Sequence, residues 1–199
     1  VATLRHLRLT GRELDLEDET ELLGYMVAEG TCKYSSPHWT NHDPELVDRM
    51  RACCTRRGWQ LMPIVSNGEV LPGEYLVTGK GAALKPGAWC RIWGIAKLAK
   101  HKRIHPRIFQ ADEESIGKFI GALLACDGHV NPTAHSVVFN MSSEWLLKDL
   151  QQLLTRIGVY SYIRYREASL REKKFDAWQL TFGRYEDVAR LSRKIVMHG

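Results

Sequence analysis

Two carboxylates stand at matching points of the chain. Glu29 lies near the end of LLGYMVAEG (residues 22–30) and Asp127 near the end of IGALLACDG (residues 120–128), 98 positions later. In both runs, apolar and small side chains recur at helical spacing up to the acid and a glycine. The C-terminal end of a helix already carries about half a negative charge, so an acid placed there is unfavourable without a cation nearby. If the two helices lie side by side, Glu29 and Asp127 form an oxygen-only pair beside the main-chain carbonyls of Ala28 and Cys126. Such donors suit hard Mg²⁺, which keeps several of its waters, and Mn or Ca fits the same ligands. Beside a phosphodiester, that centre would position and activate water and stabilise the leaving oxygen. Taken alone, Asp127-Gly128 also reads as an ordinary helix stop, with the glycine in the left-handed conformation.

The elements that must place these acids are written twice. After each acid come about ten residues of strand-like alternation, then TNHDPELVDRMRACCTRRGW in one half and FNMSSEWLLKDLQQLLTRIGV in the other. Each is a polar cap, an amphipathic helix and a closing glycine, Gly58 or Gly158. QLMPIV then parallels YSYIRYR, and EYLVTGK parallels AWQLTFG, all with strand character. The predicted order per half is helix, strand, strand, helix, strand, strand, helix. Residues 1–17 form a lead-in, and the halves run over 18–111 and 112–199. Gly24 and Ala28, and their counterparts Ala122 and Cys126, put small residues on one helical face, which lets two backbones approach closely. Leu22, Leu23, Met26 and Val27, with Ile116, Phe119, Ile120, Leu123 and Leu124, are then expected to face the core of each half. Asp18 with Glu21, and Asp112 ahead of Ser115, are expected caps.

Composition agrees with a globular chain: 199 residues, 44% of them hydrophobic, with no apolar run near the ~20 residues that span a membrane. A soluble, intracellular location without membrane association is the expectation. The five cysteines, Cys32, Cys53, Cys54, Cys90 and Cys126, include no C-x-x-C pair, so reduced and mostly buried thiols are expected. The net charge of +5 is unevenly spread, with basic residues gathered over 97–107 and 164–174, which suits a polyanion. TNHD at residues 40–43 lacks the companion histidines of a His-Asn-His nuclease, and GKGAALKPG at 79–87 lacks the ending of a phosphate-binding loop and reads as a flexible turn.

With both motif copies in view, the chain resembles the LAGLIDADG homing endonucleases in their single-chain, two-motif form. The resemblance implies an α+β fold of two αββαββα halves related by a pseudo-twofold axis through the paired motif helices. It also implies a saddle of antiparallel strands over a long, asymmetric duplex site. The activity implied is Mg-dependent, site-specific double-strand cleavage by a monomer that needs no protein partner. Two departures stand out: Glu29 in place of the first motif's Asp, and Ala122 where Gly is usual. The family carries basic residues near the scissile phosphates, and KRIHP puts Lys102 at the matching place, 25 residues before Asp127. Lys102 is the expected basic group, polarising water or stabilising developing charge. Arg193 and Lys194 are candidates for its counterpart in the second half. ELLGYMVAEG after a basic lead-in is similar to intein-borne members, although no splicing residues are present. An RNA-splicing maturase and a catalytically silent DNA-binding module are the alternatives on the same scaffold.

DNA contacts are expected from the exposed strand faces, where alternate residues point the same way. With Ile163, Trp178, Leu180 and Phe182 packed inward, Tyr160, Tyr162, Arg164, Arg166, Gln179 and Thr181 face DNA. Lys33, Ser35, Thr78 and Lys80 do so in the first half, and Lys100 adds a contact from the basic linker. Arg and Gln read base edges, while Lys anchors phosphates.

Overall fold

A computed structural model describes residues 17–32, 36–170 and 173–195. The first half runs α1 (Glu17–Ala28), β1 (Gly30–Thr31), β2 (His38–Thr40), α2 (Pro44–Arg56), β3 (Gln60–Ser66), β4 (Glu69–Thr78) and α3 (Pro86–Ile92). Two short 3-10 turns, Ala99–His101 and Pro106–Gln110, punctuate the linker. The second half repeats the order as α4 (Glu113–Asp127), β5 (Gly128–Asn131), β6 (Ser136–Met141), α5 (Glu144–Arg156), β7 (Tyr162–Leu170), β8 (Lys173–Phe182) and α6 (Tyr185–Ser192). Two antiparallel sheets result, ordered β1-β2-β4-β3 and β5-β6-β8-β7. Their registers start alike, with Gly30 opposite Trp39 and Gly128 opposite Phe139.

The amphipathic helices start where capping chemistry dictates. Asp43 accepts from the amides of Glu45 and Leu46 ahead of α2, with Pro44 at the first turn. Ser143 accepts from Leu146 ahead of α5, and Asp112 from Ser115 ahead of α4. Gly58 and Gly158 end α2 and α5 with φ of 68° and 80°, a conformation that glycine adopts without a Cβ penalty. Leu22, Leu23, Met26 and Val27 are buried, as are Ile116, Phe119, Ile120, Leu123 and Leu124. They join Trp39, Phe139 and the apolar faces of α2 and α5 in one continuous core.

Helices α1 and α4 pack against each other through the small-residue face. A Cβ on Gly24 would stand 2.6 Å from the Cβ of Ala122 and 2.6 Å from the carbonyl oxygen of Phe119. Since a backbone carbonyl cannot step aside as a side chain does, Gly24→Ala is expected to force the helices apart. A loss of about 1–3 kcal/mol in urea denaturation, with helical circular dichroism retained, is the expected result. An unchanged midpoint would mean the contact yields freely.

The glycine after each acid serves a purpose other than a helix stop. Gly128 has φ −84° and ψ 153°, so it is extended and the left-handed reading does not hold. A Cβ there would meet the Leu124 carbonyl oxygen at 2.4 Å, and a Cβ on Gly30 would meet that of Met26 at 2.5 Å. Both glycines let the chain pass directly from helix into strand while pressed against the carbonyl of the residue four before. Each acid is thereby fixed at the junction of helix and strand.

Candidate active site

Glu29 follows the last residue of α1 and Asp127 is the last residue of α4, so the paired helices deliver both acids to one end of their interface. Burial raises the Glu29 carboxyl to about 7; a hydrogen bond from Asn41 opposes the rise, and the negative charge of Asp127 adds to it. Burial likewise raises Asp127 to about 6, opposed by the Lys102 ammonium. The pair is thus poised to exchange protons for a cation near neutral pH.

Asn41 gives Glu29 a fixed orientation. Its Nδ2 donates to Glu29 Oε2 at 2.7 Å, while its Oδ1 accepts from the amide of Asp43 at 2.8 Å. The Asp43 amide thus dictates which way the Asn41 carboxamide faces. Reading TNHD only as an incomplete nuclease motif passes over Asn41; the signal lies in its position just before the α2 cap.

Lys102 is buried, at 4% exposure, with Nζ 2.7 Å from the Val27 carbonyl, 2.8 Å from that of Gly30 and 3.3 Å from that of Met26. Two of its N–H bonds therefore meet carbonyls of the last turn of α1, and the third meets that of Gly30 at the start of β1. Burial lowers its pKa, partly offset by neighbouring thiols and by both acids. Its own carbonyl accepts from Ser143 Oγ at 2.9 Å, and the adjoining Arg103 and the amide of Ile104 bind Asp149 of α5. The linker is therefore anchored by its main chain and Arg103 to the second half and by the Lys102 side chain to the first.

Two cavities meet at Ala28, Ala99 and Lys102. One, of about 190 Å³, reaches Asp127, Asn140 and Ser142; the other, of about 580 Å³, holds Glu29, Cys32, Arg91 and Lys97. Arg91 and Lys97 are basic groups beside Glu29 that sequence reasoning does not assign to the site. Among the described residues no cluster of three or more His, Cys, Asp or Glu exists that could hold a metal. The donors present are two carboxylates with main-chain carbonyls, which fit a hard ion that retains water and not a zinc-type centre. Lys194 pairs with Glu113, at the opposite end of α4 from Asp127 and about 21 Å away along a 1.5 Å rise. Arg193 donates to the Ala189 carbonyl at 3.0 Å. Lys194 is thus remote from the acids, and Arg193 has a local partner.

On the second sheet the residues expected to meet DNA differ in exposure. Tyr162, Arg164 and Arg166 are exposed, and the Arg164 guanidinium lies 4.8 Å from the centre of the Tyr162 ring. Gln179 is half-buried and donates to Asn140 at 3.0 Å. Thr181 is only 8% exposed: it sits on this face but between Tyr162 and Val138 of the flanking strands, which cover it. Tyr160 precedes β7 and lies beside Gln151 and Thr155 of α5, with Arg184 over its ring at 5.7 Å, so it is off the strand face. In the first half Thr78 ends β4 half-buried and Lys80 is exposed in the turn beyond. Lys33 and Ser35 lie outside the described residues. Strands β1 to β4 contain Glu69 and Glu74 but no Lys or Arg. Lys100 is exposed on the linker.

Residues 114–196 match the LAGLIDADG-like domain family. Among solved structures, a mesophilic variant of the homing endonuclease I-DmoI aligns with 92% of this chain and 97% of its own at TM-score 0.61 and 12% identity. I-DmoI in complex with DNA and Mn gives 0.60 at 13% identity, covering 92% and 98%. The chain has the LAGLIDADG fold. Full-length DUF199/WhiA from Thermatoga maritima shares that fold at TM-score 0.60 and 16% identity over 98% of this chain, which spans 59% of that protein. An A-type ATP synthase component of Pyrococcus abyssi is 24% identical over 157 residues, which make up 75% of this chain and 15% of that protein. The α+β class expected from the sequence is that of this fold, and the structure builds it with two four-stranded antiparallel sheets. Among the described residues no helix is long and apolar enough to cross a membrane.

Proposed function

We propose that the chain is a divalent-metal-dependent, site-specific double-strand DNA endonuclease acting as a monomer, with halves at 18–111 and 112–199. The observation that carries this reading is the pair of half-buried carboxylates, Glu29 and Asp127, held at the ends of packed helices and raised to about 7 and 6. A protein that only binds DNA has no use for two burial-strained acids facing phosphate. Glu29 and Asp127, with the carbonyls of Ala28 and Cys126, would hold Mg, or Mn or Ca in its place. The bound ion would orient water and stabilise the departing oxygen. Asn41 fixes Glu29, and Lys102 holds the helix end that carries it. I-DmoI structures with DNA and Mn, Ca or Mg support the metal reading by analogy of fold. The match to a short part of an ATP synthase component supports a module embedded in a host protein, as in an intein.

Duplex DNA would lie across the sheets, contacted by Tyr162, Arg164, Arg166 and Gln179 from one half and by Lys33, Ser35, Thr78 and Lys80 from the other, with Lys100 on a phosphate. Strands β1 to β4 bring no Lys or Arg, so Lys80 would reach DNA from the turn beyond β4, whereas Arg164 and Arg166 stand on β7 itself. Arg164→Ala is therefore expected to weaken binding by about 1–3 kcal/mol and to relax preference in one half-site only. The direct test of function is selection of cleaved sites from a randomised duplex library in Mg²⁺. Recovery of one long asymmetric site supports the proposal. Tight duplex binding without cleavage would mark a silent binder, and preference for folded RNA over every duplex a maturase.

A further inference from the structure

The wall of the Glu29 cavity holds a pair of thiols that the endonuclease reading leaves unused. Cys32, directly after β1, and Cys90, in α3, come from positions 58 residues apart, yet their sulfurs are 2.8 Å from each other. Cys32 is 7% exposed and lines the cavity beside Arg91 and Lys97, whereas Cys90 is fully buried behind it. A disulfide bond measures about 2.05 Å, so closing this pair moves the sulfurs by less than an ångström. The other thiols lack such an arrangement: Cys53 takes a hydrogen bond from Arg56, while Cys54 is its chain neighbour and Cys126 sits on α4.

We infer that Cys32 and Cys90 are a thiol–disulfide site, closed by exchange with a small-molecule disulfide and opened by a thiol reductant. Cys32 is the entry point because it alone of the two reaches the cavity. Its thiolate attacks one sulfur of the small disulfide, breaking that S–S bond and releasing one thiolate. The buried Cys90 thiol then gives up its proton as it attacks Cys32 Sγ, forming the internal bond and releasing the second thiolate. The protein gives up two protons and two electrons, and the small disulfide takes them as two thiols. The basic side chains of Arg91, Lys97 and Lys102 around the cavity favour thiolate formation at its wall. The bond would staple the strand after Glu29 to α3, two residues from the Gly30 carbonyl that Lys102 holds, and so tie down the first half with little movement.

The test treats the native chain with oxidised glutathione, blocks remaining thiols with iodoacetamide under denaturing conditions, and maps the peptides. The expected product links the peptides of Cys32 and Cys90, with Cys53, Cys54 and Cys126 alkylated. The thermal midpoint should rise by roughly 5–10 °C and fall back with dithiothreitol. Cys32→Ser and Cys90→Ser should each lose both the link and the rise. Alkylation of Cys32 and Cys90 after oxidation, or glutathione left on Cys32 without a bond to Cys90, would overturn the inference. The map is made on the unmodified chain, so it decides the matter even if a serine variant fails to fold, and it reads nothing that depends on DNA cleavage.

Discussion

Asp127→Asn is expected to lower Mg²⁺-dependent cleavage of a cognate duplex by at least about a thousandfold while duplex affinity stays the same or tightens. Glu29→Gln should behave alike. The amide keeps the shape of the side chain and removes the charge that holds a cation, so the loss would fall on chemistry. Affinity has no reason to fall, since the deleted charge repelled phosphate. Both variants belong in one experiment, with binding and cleavage measured at fixed salt because affinity for DNA is salt-dependent. If Asp127→Asn cuts both strands at the unsubstituted rate, the acid pair is not the active centre.

The same substitution carries a stability signature whose sign follows from burial. Asp127 moves from an ordinary 3.8 to about 6 in the folded chain. Below pH 3.8 both folded and unfolded forms hold the proton and burial costs nothing. Between 3.8 and 6 the unfolded chain ionises first, and above 6 the full penalty is present. Without metal, Asp127→Asn should therefore be more stable than the parent at pH 8, by about 3 kcal/mol, and no different at pH 3.5. Urea denaturation in a chelator at both pH values checks this. Added Mg²⁺ should stabilise the parent increasingly as pH rises and leave the variant nearly unmoved. A parent that is the more stable form at pH 8 in chelator would mean the carboxylate already has a stabilising partner.

Much of this architecture is legible because each cue is local and written twice. Two apolar helices ending in acid and glycine, two capped amphipathic helices and two pairs of strands fix an order of elements that any compact solution must satisfy. Capping residues such as Asp43, Asp112 and Ser143 announce themselves by type and position. What escapes reading depends on the third dimension. Thr181 has the right parity for an outward residue, yet parity says nothing about flanking strands closing over a short side chain. Alternation extended back to Tyr160 runs two residues too far, where the chain is still leaving α5. The best-known property of glycine, positive φ, is the wrong guide beside the acids, where close approach to a carbonyl is what requires it. Arg91 and Lys97 reach the Glu29 cavity only because α3 and the linker fold back onto α1, and nothing in their local sequence encodes that return. Lys102 stands out by position, but its contacts depend on where the α1 carbonyls end.

Those contacts set the expectation for Lys102→Met. The substitution keeps most of the side-chain volume while leaving the carbonyls of Met26, Val27 and Gly30 without their shared donor. Breaking a buried charge-assisted set of this kind costs about 3 kcal/mol, read from urea denaturation. Because Glu29 lies between Val27 and Gly30, the carboxylate should shift when the helix end loosens, and apparent Mg²⁺ affinity should fall together with cleavage. A lysine that worked only by donating to a scissile oxygen would give the opposite pattern, with stability and Mg²⁺ affinity kept and the rate alone lost. Lys102→Arg separates the two roles further, since a guanidinium keeps the charge but cannot aim three donors at carbonyls gathered around one nitrogen. Partial recovery of the rate with full loss of stability would point to charge acting directly on the reaction. Loss of stability, Mg²⁺ affinity and rate in step would identify Lys102 as the residue through which the linker holds Glu29 in register with Asp127.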